Sequence, residues 1–248
     1  LIREIDAWAH ANARRERPAE NLLLTGGLLL LALLLPPWPG APFVAGSALA
    51  VALGGARIPP IALGRALLLP FSFLFVGMVP LLVSIAPAPD AGWRMVFAAE
   101  GLETALATAL RAVAAFTALI LLAMTTPVGR ILALLGRAGL PIELIETMRL
   151  TYKMLFILDE EMRRMIAAQT ARSGYRGIRR SFHSAGLAVA ALLRRTLHRS
   201  RAMARGEAAR NYRLASLPTA GSEPLAPGRL ALVATLLVLI VTTTLILG

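Results

Sequence analysis

Two phrases, Ala171-Arg172-Ser173-Gly174-Tyr175-Arg176-Gly177 and Ala209-Arg210-Asn211-Tyr212-Arg213, decide how this chain is read. They fall in a stretch, 141 to 213, where a membrane-like sequence turns into an arginine-laden helical segment with no span of its own. Each phrase follows a run of helical periodicity. Gly174 and Asn211 are residue types that tolerate the left-handed backbone closing a helix, so Arg172 and Arg210 are expected in the last turns of two separate helices. A cation there complements the helix macrodipole by about 0.3–1 kcal/mol. Dipole compensation requires only a positive charge, however, and the repetition of alanine, arginine, tyrosine and a second arginine at both ends points to a shared docking role.

Upstream of the first phrase, Ile142 to Arg172 carries Ile145, Met148, Leu150, Met154, Leu155, Leu158, Met162, Met165 and Ile166 mostly at three- and four-residue spacing. That spacing predicts an amphipathic helix of about 45 Å at 1.5 Å per residue, with Pro141 at its start. Its methionines suit either a core or an adaptable surface against a partner. Asp159, Glu160 and Glu161 precede Arg163 and Arg164 at spacings for helical ion pairs on a solvated face. Ser181 is expected to cap the next helix, which runs to Arg210, and 214–227 reads as a polar linker.

The surrounding composition is that of an integral membrane protein: 248 residues, 57% hydrophobic, with a formal net charge of +12. Of the 26 basic residues only Lys153 is lysine, and 17 lie between 125 and 227. Charge concentrated between spans marks a cytoplasmic face before it suggests nucleic acid. The absence of cysteine excludes disulfides and thiolate metal sites. Leu1 to Asn21 is mixed and charged, unlike a cleavable signal.

The expected organisation is all-α and polytopic: a cytoplasmic interfacial arm at 1–20, four spans within 21–124, a coupling domain of long amphipathic helices at 125–227 and a last span within 228–248. The spans are read at Asn21 to Leu35, Ala41 to Gly55, Ala66 to Ala86, Gly101 to Met124 and Leu230 to Leu247. The first two are short against the ~20 residues a straight span needs. Pro36-Pro37-Trp38-Pro39-Gly40 separates them, Pro70 and Pro80 imply kinks in the third, and Pro87 to Ala99 reads as a far-side loop. Arg111, inside the fourth apolar run, requires either an offset of the span or a partner such as Glu100 or Glu103. With the basic turns inside, the chain is expected in a bacterial inner membrane with its N-terminus and coupling domain cytoplasmic.

No catalytic constellation accompanies this architecture. The sole lysine lies mid-helix in Leu150-Thr151-Tyr152-Lys153-Met154, so no phosphate-binding loop is present and the chain cannot be its own ATPase. His10, His183 and His198 are too scattered for a metal cage, and no cofactor is expected. A coupling subunit fits best, its arginines making bidentate bonds to carboxylates of a separate motor. A membrane-tethered nucleic-acid binder is the alternative from another class. The apolar faces of the long helices and the scarcity of stacking aromatics disfavour it.

Thr125-Thr126-Pro127, Leu150-Thr151-Tyr152, Ala168-Gln169 leading into Ala171-Arg172-Ser173, and Arg199 through Ala209-Arg210-Asn211-Tyr212 together resemble the transmembrane T component of energy-coupling-factor transporters. Asp6 and Pro18-Ala19-Glu20 are similar to the CbiQ/NikQ branch for cobalt or nickel; a vitamin-transporter T component is the nearest rival. The resemblance implies two ATP-binding subunits (CbiO/NikO-like), a substrate-binding membrane subunit (CbiM/NikM-like) and a small accessory membrane subunit as partners, besides membrane lipid. It also implies that two Ala-Arg-Gly signatures dock into the ATPases. Ser173 and Asn211 replace the signature glycines. The implied docking residues are therefore Ala171, Arg172, Ser173 and Ala209, Arg210, Asn211, with the literal Ala204-Arg205-Gly206 as competitor for the second signature.

Overall fold

The computed structural model describes residues 2–12, 17–87, 93–97, 99–209 and 227–247. The chain divides into two compact units, one formed by Leu1–Ile131 with Gly221–Gly248 and the other by Leu132–Ala220.

The first unit holds α1 (Ile2–Ala11), α2 (Pro18–Leu34), α3 (Pro37–Ala50), α4 (Pro60–Leu82), α5 (Ala99–Thr125) and α9 (Pro227–Leu247). Its organising element is α5, which packs against α1, α2, α3 and α4. Ala105, Ala109, Ala114 and Ala118 explain this: small side chains buried along one helix let neighbouring backbones approach closely where no hydrophobic drive separates helix from lipid. Leu28 of α2, Val44 of α3 and Leu121 and Met124 of α5 fill the remaining space. Helix α9 joins through α2, where a Cβ on Gly27 would come within 2.6 Å of Leu237 Cδ1.

Helices α4, α5 and α9 contain stretches long and apolar enough to cross a membrane, Pro60–Met78, Gly101–Thr125 and Gly228–Ile246. The other two expected spans are shorter. Helix α2 has 17 residues, and α3 has 14 residues before five of π-helix, Val51–Gly55. Trp38 departs from helical geometry at φ −120 and ψ 127, so the proline cluster starts α3 with a kink and leaves only Leu35 and Pro36 between the two helices. The chain is an all-α polytopic membrane protein with one local addition. The stretch expected to extend the third span and then loop contains two antiparallel strands, β1 (Val83–Pro87) and β2 (Trp93–Phe97), in register Val83↔Phe97 to Pro87↔Trp93. Valine, isoleucine, tryptophan and phenylalanine favour a pleated ribbon there.

Buried polar groups tie helix ends together. Asn12 Nδ2 donates to the Ala56 carbonyl at 3.0 Å, anchoring the end of the arm segment to the turn before α4. Asn21 Nδ2 donates to Thr126 Oγ1 at 2.9 Å, joining the first turn of α2 to the chain just beyond α5.

The second unit is built on α7 (Ile142–Ala171) and α8 (Ile178–Ala209). Helix α6 (Val128–Arg137) leads into it, with Gly139 at φ 96 reversing the chain. At 1.5 Å per residue α7 and α8 are about 45 and 48 Å long. They run antiparallel, since Glu161 meets Arg195 and Gly174 meets Ser184.

Candidate functional site: the arginine-bearing helix ends

The connection from α7 to α8 is built by hydrogen bonds that match a specific helix ending. Arg172, at φ −90 and ψ 15, caps α7. Ser173 takes φ 57, its amide donates to the Thr170 carbonyl at 3.0 Å, and the Gly174 amide donates to the Gln169 carbonyl at 2.8 Å. This is the paired-bond C-terminal motif whose left-handed position normally holds glycine. The left-handed residue is thus Ser173 and not Gly174, a correction to the sequence reading. The backbone freedom is needed one residue earlier, and Gly174 is required for space: a Cβ there would lie 2.6 Å from Ser184 Oγ and 3.0 Å from the Gln169 carbonyl oxygen.

Helix α8 likewise starts earlier than its expected cap. Gly177 at φ 85 turns the chain, and α8 begins at Ile178. Ser181 therefore lies inside the first turn, its hydroxyl donating to the Gly177 carbonyl at 2.9 Å instead of capping. The hydroxyl that secures the turn is Ser184, which donates to the Gly174 carbonyl at 2.9 Å.

Arg172 is exposed at this tip, as are Arg176, Arg179 and Arg180. No ion pair involving any of the four occurs among the described residues. Two large apolar side chains stand beside them in the first turns of α8, Ile178 at 80% and Phe182 at 77% exposure. The sequence reading did not single these out. Their signal was an apolar pair at i and i+4 enclosing two arginines, a pattern that a solvated face alone does not require.

Ala204, Arg205 and Gly206 are exposed within α8, which continues through Ala209. Gly206 is not among the positive-φ residues, so the literal Ala-Arg-Gly is ordinary helix and lacks the turn found at Ser173. Ala209 is the last residue of α8, and Arg210 and Asn211 lie outside the described residues. Along α7 and α8 the expected ion pairs form, Arg163 to Asp159 at 3.1 Å and Arg164 to Glu160 at 3.2 Å. Arg195 reaches across to Glu161 at 2.7 Å. The methionines divide, with Met148 exposed and Met154, Met162 and Met165 half-buried.

His10, His183 and His198 are exposed, and no group of three or more histidine, aspartate or glutamate side chains is placed to hold a metal among the described residues. Arg111 is exposed on α5 and does not pair with Glu103. The Glu100 side chain lies outside what is described.

Residues 10–219 match the family model CbiQ, described as cobalt transport protein. The chain belongs to the CbiQ family. Among its relatives, the cobalt transport protein CbiQ of Rhodobacter capsulatus is 40% identical over 212 residues, covering 85% of each chain. The cobalt transport protein CbiQ of Salmonella typhimurium is 32% identical over 206 residues, 79% of this chain and 88% of the relative. The CbiQ match takes in the whole α7–α8 hairpin and both candidate arginine phrases.

Proposed function

We propose that this chain is the transmembrane scaffold and coupling subunit of an energy-coupling-factor importer for divalent cobalt. Two CbiO-like ATP-binding subunits supply the motor, and a CbiM-like membrane subunit binds the metal, with a small accessory subunit beside it. The protein lies in a bacterial inner membrane with its N-terminus and α6–α8 on the cytoplasmic side, where the basic residues concentrate. Cobalt is favoured over nickel or a vitamin by the names of the relatives.

The observation that carries this reading is the tip at Arg172. A guanidinium exposed beyond a closed helix end, with no ion-pair partner among the described residues and apolar anchors beside it, has the chemistry of a docking plug. It can form bidentate, charge-assisted bonds to a carboxylate in a partner's groove while Ile178 and Phe182 leave water. The second plug is Arg210. It follows Ala209 and the end of α8 in the sequence as Arg172 follows Ala171 and the end of α7, whereas Arg205 lies within helix. A rigid pair of helices about 45 Å long then transmits motion between motor and membrane. Arg111 lends further support: a guanidinium exposed in an apolar span costs about 2.5–3.5 kcal/mol near the bilayer centre, and a membrane partner would cover it.

Arg172→Glu and Arg210→Glu, made separately and together in the assembled complex, test the assignment. Each single change is expected to reduce recovery of the ATP-binding subunits and coupled cobalt uptake, and the double change to abolish both. Normal ATP-driven uptake by the double variant would refute the docking role, and a matching loss with Arg205→Glu but not Arg210→Glu would move the second plug to Arg205.

A further inference from the structure

Helix α8 keeps an apolar face that neither its own unit nor the tip at Arg172 uses. Ser184 and Ala188, at 5% and 4% exposure, form the side of α8 turned into the hairpin. Val189, Leu193 and Leu197 recur every fourth residue on another side, at 59%, 61% and 51% exposure. Ser200 and Ala204 continue that stripe as small, exposed residues.

The borders of the stripe carry one sign of charge. At about 100° per residue, Arg194 and Arg201 flank it on one side and Arg199 on the other. All three are exposed, and none makes an ion pair or hydrogen bond among the described residues. Over its whole length α8 holds seven arginines against a single carboxylate, Glu207.

An apolar stripe bordered by guanidinium groups is the pattern of a helix lying in the plane of a membrane surface, its apolar side among acyl chains and its cations at the level of the phosphates. Charge complementarity selects the kind of surface. A zwitterionic leaflet offers the arginines no net potential, whereas an anionic leaflet attracts each of them. Connectivity keeps such a surface close at hand. Only Thr126 and Pro127 separate the apolar helix α5 from α6, and residues 210–226 join α8 to the apolar helix α9, so the segment is tethered to spans at both ends.

We propose that the part of α8 beyond Ala188 binds the surface of an anionic phospholipid leaflet, with Val189, Leu193 and Leu197 at the acyl boundary and Arg194, Arg199 and Arg201 on lipid phosphates. Ile178 and Phe182 at the tip remain for the ATP-binding subunits, and the lipid contact stands whether or not Arg172 docks there.

The chain contains no cysteine, so Ser200→Cys and His198→Cys each provide one site for a fluorophore, the first on the stripe and the second turned away from it. Each labelled full-length chain is reconstituted in vesicles of phosphatidylcholine alone or of phosphatidylcholine with phosphatidylglycerol, and quenching is read from lipid carrying a nitroxide near the top of its acyl chain. The label at 200 is expected to be quenched in the vesicles containing phosphatidylglycerol and little in phosphatidylcholine alone, and the label at 198 little in both. Arg194→Gln with Arg201→Gln should lower the ratio of quenched to unquenched label at 200 about twenty-fivefold, about fivefold for each arginine withdrawn from an anionic surface. Raised salt should lower it as well. Arg194→Lys with Arg201→Lys keeps the charge and should keep the quenching, which separates loss of the lipid contact from misfolding. Equal quenching in the two kinds of vesicle, full quenching in the glutamine pair, or equal loss in the glutamine and lysine pairs overturns the proposal. Shielding at 200 that arises only when the ATP-binding or membrane subunits are added, and to the same extent in both vesicles, also overturns it, because a protein would then cover the stripe.

Discussion

The Ser184 hydroxyl donates to the Gly174 carbonyl at 2.9 Å, tying the second turn of α8 to the chain that has just left α7. This bond and the two amide bonds closing α7 fix the tip on which Arg172 is presented, so the direction of the arginine is set by backbone geometry two residues beyond it.

Ser173→Gly should stabilise the tip by about 1 kcal/mol, because a non-glycine residue held at positive φ carries a steric cost of about 1–2 kcal/mol. Glycine's greater unfolded-state freedom offsets part of that gain. Gly174→Ala should destabilise it by about 1–3 kcal/mol through the clash with Ser184 and the Gln169 carbonyl. Thermal melting of the purified protein in detergent measures both, and changes of the same sign would contradict the assignment of distinct roles.

Ile178→Asp with Phe182→Asp should leave the melting temperature of the isolated chain nearly unchanged, since both side chains stand largely in solvent. If they anchor a partner, binding of the ATP-binding subunits should weaken by about 2 kcal/mol or more, some thirtyfold. Titration calorimetry of the chain against those subunits reads the difference.

The buried Asn21–Thr126 bond joins residues 105 positions apart where α5 gives way to α6. Asn21→Leu alone or Thr126→Val alone should cost about 0.5–1.5 kcal/mol by removing this buried bond, and the double replacement less than the sum. A coupling energy of zero in denaturation of the four proteins would mean that the bond contributes nothing in the bilayer.

Arg111→Leu should raise or preserve the stability of the isolated chain while weakening its association with the membrane partner about tenfold, a loss of about 1.4 kcal/mol. Quantitative co-purification compares the variants. Undiminished recovery of that partner would leave Arg111 unexplained by it.

The helices were legible because their signals are local. Apolar runs, the three- and four-residue spacing of Ile145 to Ile166 and the closing prolines each act within a few turns, and the α7 boundary came within one residue of expectation. The hairpin at Val83–Pro87 and Trp93–Phe97 was hidden by its apolar content, which continues the composition of α4 without a break. At the candidate site the sequence placed Arg172 at the close of α7, where the structure has it as the cap. It misassigned the left-handed residue and the cap of α8, because Ser173, Gly174 and Ser181 are all plausible stops or starts until the neighbouring helix is placed.

By itself the sequence determined that this is a helical membrane protein with a basic, arginine-tipped segment between spans, since hydropathy and charge act residue by residue against the bilayer and need no tertiary context. Only the tertiary structure decided which hydroxyl closes the tip and which polar side chains join distant helix ends. Those outcomes depend on distances between segments remote in sequence, which packing against α5 within the membrane unit and antiparallel pairing of α7 with α8 bring about.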